Sequence, residues 1–119
     1  MAQVHAIGAV IALTVAVAFF VFALYCARSG RALGALATAR KVLAAAIGLQ
    51  TLLGLLLLAR GSRPAEGLHY VYSAVALGAV PLARYFASEA PPKARAGTMA
   101  AGAVLTLIMI WRLWETGGA

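Results

Sequence analysis

The side chains richest in chemistry are His5, Gln50, His69, Tyr72 and Arg84, each set in or beside a long apolar run. A polar group in hydrocarbon costs free energy unless it finds a partner, so each of these is a candidate functional residue. Two neutral imidazoles from different helices can supply both axial ligands of a heme iron, a closed coordination that favours electron transfer over oxygen chemistry. His5 and His69 are the only histidines, and they form that candidate metal pair. The competing reading makes each an interfacial residue, level with Tyr70, Tyr72 and the tryptophans. Zinc is a poor match, since four ligands are usual and no cysteine or carboxylate joins the pair. Tyr72, three residues after His69, is one helical neighbour away and either orients the imidazole, lines the same pocket or belongs to an aromatic belt. Gln50 lies nine residues before Ala59, which puts it roughly 13 Å below the end of its helix. Its amide either glues helices together, at about 1 kcal/mol, or donates to a heme propionate, a quinone carbonyl or a histidine ring. Arg84 can snorkel to headgroups along its aliphatic stem. The single cysteine, Cys26, has no second thiol for a disulfide or a metal pair. No residue reads as catalytic.

The elements that must position these groups are transmembrane helices. Of 119 residues, 64% are hydrophobic and 11% charged, less than half the charged fraction, about 25%, of soluble domains. With a mean hydropathy of +0.93, the chain reads as one all-α membrane domain, an up-down bundle of four helices over about 4–27, 42–59, 68–89 and 96–114. The first run lacks a basic segment in front of it and exceeds the length of a signal core, so it reads as a retained helix. Pro81 predicts a bend in the third helix, because its ring removes the donor for the Leu77 carbonyl. Trp111 and Trp114 suit an interfacial belt. Arg28, Arg31, Arg40, Lys41, Arg84, Lys93 and Arg95 fall on one side, against Arg60, Arg63 and Arg112 on the other. The positive-inside rule makes the first side cytoplasmic and puts both termini outside, in a plasma membrane, with the bacterial inner membrane as the expected setting. The net charge of +7 is concentrated at helix ends, a pattern of orientation and headgroup contact rather than of nucleic-acid binding. Short loops make consecutive helices antiparallel neighbours, packed through small residues such as Ala44, Gly48 and Gly54.

The stretch Leu49-Gln50-Thr51-Leu52-Leu53-Gly54, followed by a loop and Gly67-Leu68-His69, resembles one half of a heme A synthase. That family pairs two four-helix bundles and uses histidines near the outer face as heme ligands, with a similar glutamine-glycine helix before one of them. The resemblance covers mainly the second and third helices and implies that His69 is a ligand and, more loosely, His5 another. No acidic residue accompanies His5 as the family's catalytic glutamate accompanies a histidine, so the resemblance implies heme holding rather than hydroxylation. The expected function is therefore a b-type heme protein, or a heme-holding subunit of a respiratory or heme-maturation assembly, with His5, His69, Gln50 and Tyr72 around heme b. The alternative is a cofactor-free accessory subunit packed against a larger membrane complex. Either way the lipid bilayer, other membrane subunits or a second copy are the expected partners, and the chain is an electron-transfer or accessory subunit more than a stand-alone enzyme. Small multidrug exporters share the size, but they need a membrane-embedded glutamate in their first helix. Glu66, Glu89 and Glu115 all lie in loops or the tail here.

Overall fold

Helix formers dominate the chain, and it stops being helical only where glycine, proline or a left-handed residue forces a turn. The computed structural model describes residues 2–117 and contains α1 (Ala2–Ser29), α2 (Leu33–Ala59), α3 (Leu68–Phe86) and α4 (Pro92–Thr116). The corner between α1 and α2 is tight: Gly30 has φ 71° and Ala32 has φ 57°, the left-handed region that ends one helix and re-aims the next. α2 therefore starts nine residues before the expected Val42, with Gly34, Arg40 and Lys41 inside it. Alanine, leucine, arginine and lysine all favour helix, so the two charges do not break it. α3 ends at Phe86 rather than Glu89, and it continues through Pro81 without interruption. α4 begins at Pro92 rather than Ala96. Proline is preorganised for the first helical position, where its missing N–H is no loss.

α1, α2 and α4 are long and apolar enough to cross a membrane. The molecule measures 46 × 21 × 19 Å, the proportions of a short bundle. Its interior and exterior are inverted relative to a soluble protein. Large side chains such as Val10, Val21, Leu52, Leu55, Leu82 and Ile108 point outward, while the interior is filled largely by alanine. Ala16 and Ala23 of α1 cluster with Ala96, Ala100 and Ala103 of α4, with Phe19, Cys26 and Met99 among them, and Ala12 is buried further along α1. Lipid is as apolar as leucine, so helices gain by close backbone approach, and small residues permit it. Gly102 shows the same logic between α3 and α4, since a Cβ there would lie 3.0 Å from the Ala79 carbonyl oxygen. Gly48, by contrast, faces open space, and Ala44 lines a crevice rather than an interface.

The ring of helices is unevenly closed. α3 packs along α4, α4 along α1 and α1 along α2, whereas α2 and α3 barely touch. One end of the bundle carries the start of α1, the end of α2, the start of α3 and the end of α4, and so gathers both histidines. The opposite end gathers Arg28, Arg31, Arg40, Lys41, Arg84, Lys93 and Arg95.

Candidate functional site at the histidine end

His5 stands on the first turns of α1, and Gly8 follows one turn later on the same face. Gln50 and Gly54 are spaced likewise on α2, which runs the other way. The two pairs interlock. A Cβ on Gly54 would lie 3.4 Å from Cε1 of His5, and a Cβ on Gly8 would lie 2.0 Å from Oε1 of Gln50. Each glycine is thus a notch for the polar side chain of the other helix. Nε2 of Gln50 donates to the His5 carbonyl oxygen at 2.9 Å, across helices. Gln50 faces inward as its cost in lipid requires, but its partner is the backbone of His5 and not the imidazole. Oε1 of Gln50 and Nδ1 of His5 are buried without a partner. In a low-dielectric interior such atoms cost about 1–3 kcal/mol each and call for an explanation.

His69 is held by a different helix pair. Its Nδ1 lies 3.0 Å from Oγ1 of Thr116 on α4. The Thr116 hydroxyl donates its one proton to the Arg112 carbonyl oxygen at 2.9 Å, so towards His69 it can only accept. With that bond made, Nδ1 is the donor to Thr116 and Nε2 keeps the lone pair. This is the arrangement by which a partner of one ring nitrogen fixes the tautomer and direction of a ligating histidine. The loop before α3 is tied to the same place, with the Glu66 N–H donating to the Thr116 carbonyl at 3.3 Å and the His69 N–H to the Glu66 carbonyl at 3.1 Å. His5 and His69 lie close enough for a charge on one to be felt at the other.

Tyr72 is held against α4 by Arg112. Its ring lies under the Arg112 guanidinium, 5.4 Å from centroid to Cζ, and its hydroxyl accepts from Nη2 of Arg112 at 3.4 Å. Arg112 also pairs with Glu115 one turn on. Trp111, Trp114 and Tyr70 are exposed around the same end, as an interfacial belt requires. Gly8 and Thr116 are functional neighbours that sequence reading did not find. Gly8 carried a faint signal as a glycine one turn from a histidine, and Thr116 carried none, being 47 residues from His69. Among the described residues no group of three or more histidine, cysteine or carboxylate side chains gathers to hold a metal ion. Comparison with family models, with curated proteins and with solved structures finds no match.

Proposed function

We propose that the protein is a four-span membrane subunit that holds one heme b at its histidine end, with His5 and His69 as axial ligands, and passes electrons there. The observation that carries this reading is the hold of Thr116 on Nδ1 of His69, which leaves Nε2 outside that bond, at the same end as a buried and unpartnered His5 Nδ1. Two neutral imidazoles from different helices are the donor set that a six-coordinate heme iron takes, and such a heme supplies one-electron chemistry with no open position. The chain's own contribution is orientation. Thr116 aims His69, and Gly54 gives His5 a seat against α2. Gln50 fixes the α1/α2 pair on which His5 rides, with Oε1 left over as an acceptor. α3, laid along α4, counts as the fourth span, and the seven-to-three distribution of basic residues puts both termini outside a bacterial plasma membrane.

A second reading is favoured by a specific observation. His5, Gln50 and His69 all have packing roles already, and two cavities along the α2/α3 seam are lined by neither imidazole. In that reading the protein is a cofactor-free accessory subunit, joined to other subunits or to a second copy. Reduced-minus-oxidised absorbance of the detergent-purified protein from heme-replete cells separates the two. The heme reading expects a Soret band that His69→Ala abolishes and that His5→Ala converts to a five-coordinate form. No Soret band, or a band that survives both substitutions, would sink it and leave the accessory subunit.

A further inference from the structure

The half-open side of the bundle holds a second polar site, remote from the histidines. Where α2 and α3 part, a cavity of about 200 Å³ is lined by Arg40 of α2, Arg84 of α3 and Arg95 of α4, with Leu36, Pro92 and Met99 beneath. A single water needs only about 10–15 Å³, so this space suits a larger group. Three guanidinium-bearing side chains converge there from three helices, and Arg40 and Arg84 lie near enough to repel each other. Nothing answers their charge: among the described residues the ion pair is Arg112 with Glu115 at the far end, and Glu89 on the nearby turn forms none. Nη1 of Arg95 donates to the Ser88 carbonyl at 3.2 Å, whereas Nε of Arg40 is buried with no partner at all. The N-terminus of α4, the positive end of its dipole, opens beside the same cavity at Pro92. An oxyanion would satisfy the unpartnered Arg40 Nε and answer the clustered positive charge, and arginine's planar fork matches phosphate geometry.

A second feature indicates which phosphate. Arg40 also lines a shallow apolar furrow, with room for only about 10 Å³, along the seam between Leu43, Ala44 and Ile47 of α2 and Leu77, Val80 and Pro81 of α3. A charged cup that shares Arg40 with an apolar seam offers a phosphate site beside an alkyl-contacting surface, the pairing that a phospholipid head and tail require. We propose that the α2/α3 seam is a binding site for one anionic phospholipid, with its headgroup phosphate among Arg40, Arg84 and Arg95 and an acyl chain along the furrow. The lipid completes the ring that α2 and α3 leave open. Ala44 and Pro81 then lie under the chain, on the surface of the seam.

The test is a titration of the detergent-purified full chain, read by native mass spectrometry and by thermal stability. The probes are dioleoyl phosphatidylglycerol, dioleoyl phosphatidylcholine and inorganic phosphate. The proposal expects one phosphatidylglycerol per chain, a preference over phosphatidylcholine of about tenfold or more, and about fivefold weaker binding for each arginine removed in Arg40→Gln and Arg84→Gln. Arg84 is exposed, so its replacement keeps the fold if that of Arg40 does not, and Arg40→Lys keeps the charge while losing the fork. Ala44→Phe, which fills the furrow, should weaken phosphatidylglycerol by a similar factor, and Arg60→Gln with Arg63→Gln at the other end should leave it unchanged. Equal binding of the two lipids, or a preference that survives both arginine replacements, overturns the site. Full competition by millimolar inorganic phosphate with no effect of Ala44→Phe overturns the lipid and leaves a small-anion site.

Discussion

Replacing Gly8 by alanine tests the interlock of α1 and α2 directly, because the outcome should change sign with the residue at position 50. A Cβ at position 8 would lie 2.0 Å from Oε1 and 2.8 Å from Cδ of Gln50, so the glutamine side chain must swing away. That breaks its hydrogen bond to the His5 carbonyl, worth about 1 kcal/mol between membrane helices. It also leaves the amide and the carbonyl to find other partners at a cost of about 1–3 kcal/mol. Against this, alanine is favoured over glycine in a helix by about 1 kcal/mol. The net effect of Gly8→Ala in the natural background is a loss of about 1–3 kcal/mol. With Gln50→Ala already in place the obstacle is gone, and the same substitution should stabilise by about 0.5–1 kcal/mol through propensity alone. The coupling in the double-mutant cycle is then about 2 kcal/mol. Unfolding in mixed micelles of rising dodecyl sulfate fraction, followed by circular dichroism, measures all four proteins. An effect of the same sign in both backgrounds, or a coupling below about 0.5 kcal/mol, would refute the notch.

Three further outcomes are expected. Thr116→Val removes the acceptor that fixes His69, and a heme-loaded protein should lose heme about 10–100-fold more readily, seen as a lower midpoint in Soret-monitored dissociation. Gly102→Val places a branched side chain against the Ala79 carbonyl and Ala83 Cβ, both 3.0 Å from a Cβ there, and should cost about 1–3 kcal/mol in the same micelle assay because backbone cannot yield as a side chain does. Cysteines introduced at Ser29 and Ser62 in a Cys26→Ala background should be labelled from opposite sides of the membrane, with position 62 reached from outside.

Helix number and the gathering of both histidines at one end were legible in the sequence, because long apolar runs and short connections leave few ways to arrange four helices. The start of α2 was not. Arg40 and Lys41 look like a boundary, yet charge does not end a helix whose backbone is otherwise favoured, and the true break is set by left-handed backbone at Gly30 and Ala32. That Gln50 would face inward follows from the cost of an amide in lipid, but its partner, a backbone carbonyl across the helix pair, has no side-chain signature. The small-residue rule pointed correctly at Gly54 and wrongly at Gly48, which meets nothing within 4 Å. The alanine ridges of α1 and α4 do that packing, and alanine is too common in such a chain for its pattern to stand out.

The alanine-lined seam of the bundle joins its first helix to its fourth, and this sets an order of events during synthesis. α1 and α2 leave the ribosome together and can interlock through Gly8 and Gly54 at once, but the alanine ridge of α1 has no partner until α4 has been made. For that interval Ala12, Ala16 and Ala23 must face lipid or the insertion machinery. Little is lost by the wait, since alanine in hydrocarbon is neither costly nor sticky, whereas a ridge of polar residues would have sought a wrong partner. A late closure built from the blandest side chain lets the early hairpin stand in the bilayer, uncommitted, until the last helix arrives.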